Sequence, residues 1–252
     1  MLNENLSHSG RDRGEPWDWS SRCTTGREPR VFRRCQFSER RSRCAHLVNE
    51  IRSSGGSSVA IRGDVAVEAD IIHLFQDAEQ ELGPIYGLVN NAGVTGGFSR
   101  VETLNAANLA QVLNANIAGT ILCSREAVKR MSNRRGGQGG VIVNISSLAA
   151  RTGGAGEWVH YAASKGAVDT FTIGLAREVA AEGIRVNAVA PGLIATEIHA
   201  ANGAPDRLQR LSPTIPLGRP GSAAEVAEGV LWLLSDAASY TTGTILEIGG
   251  GR

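Results

Sequence analysis

From residue 46 onward the chain repeats one arrangement: a short apolar run, a cluster of small polar residues, then a helical stretch. The runs are SVAIRGDV (58–65), IYGLVNNAG (85–93), VIVNISS (141–147), IRVNAVAPG (184–192) and GTILEIGG (243–250). Between them the 3.6-residue period predicts the end of a helix at 46–54, then helices over 68–82, around 105–133, 161–182 and 222–236. Gly55-Gly56 and Gly83-Pro84 close the first two. Strands separated by helices require right-handed crossovers, so the expected fold is α/β, a doubly wound, Rossmann-type parallel sheet in a single domain. In such sheets ligands bind at the carboxyl ends of the strands, where the polar clusters of this chain fall.

The composition narrows the function. Lys plus Arg number 26 against 25 Asp plus Glu, a net charge of +1, which gives no ground for a nucleic-acid partner. No apolar run is long enough to span a bilayer, so no membrane partner is expected. No apolar segment precedes a cleavage site near the start, and the expected location is the cytoplasm. Only Lys129 and Lys165 are lysines, in a chain that otherwise uses Arg. Lysine tunes its pKa where arginine keeps its charge, so each lysine is informative.

Lys165 ends the motif YAASK (161–165), one helical turn after Tyr161. Residues i and i+4 share a helix face. A nearby ammonium favours the phenolate, which makes a Tyr–Lys pair a candidate acid/base. Ser146-Ser147 end the strand before it, LVNNAG (88–93) ends another, Asn116 lies in NANIAG (114–119), and VNAVAPG (186–192) ends a third. Together, in this order, these motifs resemble the short-chain dehydrogenase/reductase family, in its 3-oxoacyl-reductase-like and glucose-1-dehydrogenase-like branch, over about residues 46–252.

The resemblance implies hydride transfer between NADP(H), with NAD as the alternative, and a small carbonyl or alcohol substrate. It implies Tyr161 as catalytic acid/base, with Lys165 lowering its pKa and holding the nicotinamide ribose. Ser147 would orient the carbonyl; it is chosen over Ser146 because the family's serine is usually the second of such a pair. Asn116 would hold the water of a proton relay. Asp64 and Val65 match positions that contact adenine, while Asn90, Ala92 and Gly93 line the cofactor. Pro191, Gly192, Ile194 and Thr196 match the segment touching its nicotinamide half, and 197–215 match a variable substrate lid. Family members are commonly tetramers, so a homotetramer built on 105–133, 161–182 and 222–250 is expected.

Other features carry less. Cys23, Cys35, Cys44 and His46 lack zinc-site spacing, so no metal is expected. The sequon Asn144-Ile145-Ser146 sits in an expected buried strand, His160 reads as a helix-start or surface residue, and GGQGG (136–140) as a flexible turn.

Residues 1–45 stand apart. They hold three of the four cysteines and two of the four tryptophans, Trp17 and Trp19, with no sustained apolar period. The family places a strand and a TGxxxGxG loop here, whose backbone N–H groups hold a pyrophosphate, and no such motif is present. The genetic code offers a reason. Shifted by one base, the Trp17-Asp18 and Trp19-Ser20 junctions of HSGRDRGEPWDWSS (8–21) must each encode glycine. The other junctions permit the rest of an apolar strand followed by TGGSRGIGR. The same shift in RRCQF (33–37) permits VAV followed by Asn or Ser, similar to the family's second strand with an end that favours NADP. Two readings of 8–45 follow: an out-of-frame translation with the frame restored near residue 46, or a divergent arm. Two readings of the whole chain follow as well: a hydride-transferring oxidoreductase, or a non-catalytic, marginally stable remnant. An Arg-rich nucleic-acid-binding arm is disfavoured, because its charges interleave with acids and its aromatics show no spacing. Resequencing codons 1–50 from independent genomic DNA is expected to reveal a one-base insertion or deletion near codon 46. An unchanged sequence leaves the divergent arm.

Overall fold

The computed structural model describes residues 30–35, 41–196 and 206–252; the shifted reading of 8–21 lies outside them, as do residues 197–205 of the expected lid. The chain forms β1 (Arg30–Cys35), α1 (Arg41–Ser53), β2 (Ser57–Arg62), α2 (Glu68–Leu82) and β3 (Gly87–Asn90). Then come α3 (Ala106–Leu113), α4 (Gly119–Met131), β4 (Gly140–Ile145), α5 (Ala149–Thr152), α6 (Val159–Val179) and β5 (Ile184–Pro191). The chain closes with β6 (Ile194–Ala195), α7 (Arg207–Leu211), β7 (Gly221–Ser222), α8 (Ala223–Leu234) and β8 (Ile245–Ile248).

The expected parallel sheet with flanking helices is present. Its main part has the order β3-β4-β5-β8, with every neighbouring pair parallel. A separate parallel pair joins β1 to β2, in register from Arg30 opposite Ser57 to Cys35 opposite Arg62. That places a strand inside the segment expected to lack regular structure. Among the described residues no strand lies against the free edge of β3.

Alternation along the strands sorts the core into two layers, because successive side chains point to opposite faces. Leu88, Ile142, Ile184 and Val186 pack with Phe75 and Ala78 of α2, Ala127 and Met131 of α4, and Val179 of α6. Val89, Val141, Val143 and Val189 pack on the other face with Val226, Val230 and Leu233 of α8. A sheet covered on both faces needs near-continuous apolar strands, and these runs supply them. Helix ends follow local chemistry. Gly83 ends α2 with a φ of 81°, which a residue without a β-carbon adopts readily, and its N–H donates to the Glu79 carbonyl. Ser222 and Glu225 form a capping box that starts α8.

The helices expected around 105–133 are α3 and α4. A π turn at Asn114–Ala118 separates α3 from α4. Beyond it, Glu126 of α4 is buried and accepts from Arg125, Lys129 and Arg130. Arg130 also donates to Glu79 of α2 and lies over the Phe75 ring, tying the two helices together. Burial pushes the Glu126 carboxyl up, but the three cations outweigh it and hold the group at about 2. A depressed carboxylate stabilises the fold above its unfolded pKa and loses that contribution as pH falls through the folded value. Glu126→Gln is therefore expected to cost on the order of 3 kcal/mol at neutral pH. In denaturant titrations the gap from the parent should close between about pH 4.5 and 2; a gap that stays constant across that window rules the account out.

Candidate active site

The carboxyl ends of β3 and β4 are joined by a buried polar ladder. Asn90 Nδ2 donates to Asn144 Oδ1 at 2.9 Å and to Ser124 Oγ at 2.9 Å. Asn144 Nδ2 donates to Thr172 Oγ1 at 2.9 Å, and Thr172 donates to the Val168 carbonyl within α6. The Asn90 side chain, expected to line a cofactor, thus turns into the protein. Asn144, legible in the sequence only as a sequon, is fully buried at the centre of this ladder.

The loop after β3 is held by Asn116. Its Oδ1 accepts from Val94 N at 2.8 Å, and its Nδ2 donates to the Val94 carbonyl and to Ser164 Oγ, both at 2.9 Å. Ser164 in turn donates to the Tyr161 carbonyl, so the loop is fastened to α6. Gly93 lies in the resulting cradle. A β-carbon there would come within 3.2 Å of Asn116 Oδ1 and 3.5 Å of Lys165 Nζ.

Tyr161, Lys165 and Ser147 come together at the end of β4. Lys165 Nζ donates to the Ile145 carbonyl at 2.7 Å and lies 5.6 Å from the Tyr161 ring centroid. Burial pushes the Lys165 ammonium down to about 8, while Asp169 one turn later pulls it up. Tyr161 is held above its ordinary value by burial, against a hydrogen bond with Ser147 and the charge of Arg207. The groups that lower the phenol in this structure are therefore Ser147 and Arg207, where the sequence points to Lys165. The two serines differ in their surroundings: Ser146 is buried with its Oγ on the Lys165 carbonyl at 3.3 Å, and Ser147 faces Tyr161.

Asp64 Oδ1 accepts from Ala66 N in a tight turn, and Val65 packs into the core against Gly119. Pro191 ends β5. Gly192 crosses Gly249 so closely that a β-carbon would lie 2.7 Å from its Cα. Ile194 packs in the second core layer, and Thr196 is half-buried. His160 lies at the start of α6 but not at the surface: it is buried, with Nε2 donating to the Thr95 carbonyl at 2.8 Å. The apolar crowding of Val112 and the Gly96 turn beside it explains the burial.

Sequence reasoning missed a cluster beside Tyr161. Trp158 stacks on Phe98 at 4.6 Å and meets the Tyr161 ring edge-on at 6.1 Å. Arg207 of α7 lies 4.5 Å from the Trp158 ring centroid and donates to Glu157 Oε2 at 2.7 Å. A tryptophan one turn before the tyrosine is a usable signal; nothing in the sequence pairs it with a residue in the lid.

The family described as enoyl-(acyl carrier protein) reductase matches residues 35–252. The chain is 48% identical over 206 residues to the uncharacterized oxidoreductase YgfF of Escherichia coli (strain K12), covering 82% of this chain and 83% of that protein. A short-chain type dehydrogenase/reductase from Mycobacterium marinum superposes with a TM-score of 0.81 at 30% identity, over 88% of this chain and 85% of that one. A blue fluorescent protein from a metagenomic library, solved in complex with NADPH, superposes with a TM-score of 0.80 at 30% identity, over 87% and 86% of the two chains.

Because the chain has only two lysines, its side-chain ammonium groups can be read individually by NMR of 13Cε-labelled lysine. One resonance is expected to titrate near pH 8 and to vanish in Lys165→Met. Two resonances both titrating near the ordinary lysine value would contradict the burial of Lys165.

Proposed function

Because the chain belongs to the short-chain dehydrogenase/reductase family, we propose that it is an oxidoreductase acting with NADP(H) on a small carbonyl or alcohol substrate. The observation that carries this reading is the meeting of Tyr161, Ser147 and Lys165 at the carboxyl end of β4, with the Lys165 ammonium 5.6 Å from the tyrosine ring centroid and fixed on the Ile145 carbonyl. The Gly93 cradle fits a nicotinamide half, since only a residue without a β-carbon leaves that space open between Asn116 and Lys165.

When bound, the nicotinamide supplies or accepts the hydride at the carbonyl carbon. Ser147 and Tyr161 hydroxyls hold the carbonyl oxygen between them. In reduction the phenol donates its proton to that oxygen, and in oxidation the phenolate takes it back. Burial keeps the phenol protonated at neutral pH, so it holds the proton that the donating step transfers. Lys165, fixed on the Ile145 carbonyl, would hold the ribose and place positive charge near the tyrosine. Asn116 keeps the Gly93–Val94 loop in place with its side chain. Its backbone carbonyl, which already accepts from Thr120 Oγ1, has a second lone pair for the relay water. Ala92 and Gly93, with the backbone of Asn90, would line the cofactor. Pro191, Gly192, Ile194 and Thr196 would follow its nicotinamide half, with Asp64 and Val65 at the adenine.

The preference for NADP(H) rests on the shifted reading of 33–37 and on the NADPH-bound relative. A cytoplasmic homotetramer is the family expectation. No helix among the described residues is long and apolar enough to cross a membrane.

The test is NADPH oxidation over a panel of small aldehydes and ketones. Turnover by the parent chain is expected, with NADPH used more efficiently than NADH. Tyr161→Phe should lower kcat by about 10²–10⁴-fold with unchanged circular dichroism. Comparable activity in that variant would sink the role of Tyr161, and a parent that binds and oxidises no NADPH would favour the remnant.

A further inference from the structure

Helix α6 carries a second polar pair at one-turn spacing, one residue out of step with Tyr161 and Lys165. His160 and Ser164 share a face of their own. Both are buried, His160 at 5% exposure and Ser164 at none. Each is tied to the loop that follows β3. His160 Nε2 donates to the Thr95 carbonyl at 2.8 Å. Ser164 Oγ accepts from Asn116 Nδ2 at 2.9 Å, and Asn116 Oδ1 accepts from Val94 N at 2.8 Å. Two neighbouring loop residues, Val94 and Thr95, are thus fastened to successive turns of one helix.

The His160 ring is placed for the Thr95 bond alone. A carbonyl only accepts, so Nε2 carries the proton and Nδ1 is left as an acceptor. Nδ1 is buried and has no donor among the described residues. A buried acceptor without a donor is destabilising, and an apolar side chain in the same place would not incur that cost. What the imidazole supplies, and an apolar residue cannot, is the donor to Thr95. The loop also passes the ring at close range. A β-carbon on Gly96 would lie 3.0 Å from His160 Nε2 and 2.6 Å from Val112 Cγ2. Two residues before Thr95 stands Gly93, the floor of the cradle between Asn116 and Lys165.

Building on the oxidoreductase reading, we propose that His160 is a positioning residue of the cofactor site, which fastens the Gly93–Gly97 loop to the helix carrying Tyr161 and Lys165. His160 and Tyr161 are adjacent in one helical turn, so the loop and the phenol are held by the same rigid piece of backbone. This fixes the span between the Gly93 cradle, where the nicotinamide half would sit, and the tyrosine. Asn116 makes the parallel connection through Ser164, one turn further along. Loss of His160 frees the Thr95 side of the loop while Asn116 keeps the Val94 side. Its effect therefore falls on cofactor binding more than on the chemical step.

Two variants test this, read by amide hydrogen exchange and by NADPH binding. His160→Leu fills the space without a donor, and His160→Gln keeps an N–H of similar reach. His160→Leu should speed exchange over residues 93–97 on the order of tenfold relative to the β4 and β5 amides, and His160→Gln should restore most of the protection. His160→Leu should also raise the Kd and KM for NADPH about 3- to 10-fold, with a smaller change in kcat. In the folded parent the His160 Nε2–H should itself exchange slowly and appear in the 15N spectrum, a readout that needs no variant to fold. Absence of that signal, unchanged loop exchange in His160→Leu, loosening spread equally over the core strands, or a kcat that falls as far as the affinity would overturn the proposal. In a parent that binds no NADPH, exchange decides alone. Loosening confined to 93–97 and reversed by His160→Gln then upholds the fastening and counts only against the oxidoreductase reading, while uniform or absent loosening overturns it.

Discussion

The amide of Asn144 is the contact on which the site depends. It is fully buried, and each of its bonds reaches a different element: Asn90 on β3 and Thr172 on α6. Removing either partner would strand a polar atom in the core, at a cost of about 1–3 kcal/mol. The ladder therefore holds Asn90 opposite Asn144 in the β3–β4 register. It also fixes α6 along its axis. Thr172 and Lys165 are seven residues apart, about two turns on one face. With Thr172 tied to Asn144, Lys165 arrives beside Ile145, the next residue of β4, and bonds its carbonyl. Ser146 then bonds the Lys165 carbonyl, the next contact in the same series. The ends of two strands and the helix carrying Tyr161 are thus set by consecutive β4 residues.

This placement also sets the electrostatics. Burial disfavours charge on both partners, so it moves an acid up and a base down. Tyr161 rises and Lys165 falls to about 8, which leaves an ammonium that can lose its proton close to neutrality. The i, i+4 spacing puts the two on one face but does not bring Nζ to the phenol oxygen. The Ile145 carbonyl takes that donor, and the hydroxyl of Ser147 takes the place beside Tyr161. The i, i+4 spacing therefore accounts for the shared helix face, while the contacts of its polar ends come from Ile145 and Ser147.

Much of the fold was legible because periodicity reports burial directly. The helix over 68–82 emerged with those bounds, and the strands at 85–93, 141–147 and 184–192 appear as shorter strands running into the loops that carry the site. What was not legible depends on partners distant in the chain. Asn90 reads as a cofactor-lining residue from its motif, yet its donors are claimed by Asn144 and Ser124. His160 reads as polar and exposed, yet Thr95 and Val112 enclose it. Arg207 has no local pattern at all; its meaning comes from Trp158, far away in sequence.

The π turn at Asn114–Ala118 shows the same limit within one helix. NANIAG contains no proline, and its glycine comes at the end, so nothing local announces a break. Two contacts account for its being retained. Gly119 must pass so near Val65 that a β-carbon would lie 2.8 Å from Val65 Cγ2, while Asn116 must reach both backbone groups of Val94. A π turn disturbs the regular hydrogen-bond ladder, and such turns concentrate at functional sites. Here Thr120 Oγ1 donates to the Asn116 carbonyl at 2.8 Å, which satisfies an acceptor at the disturbed position. The irregularity is thus stabilised from both sides of the helix: by Thr120 from within, and by the Val94 loop from without. Because that loop forms the Gly93 cradle, straightening the helix and holding the cradle are competing demands, and the four hydrogen bonds of Asn116 decide between them in favour of the cradle.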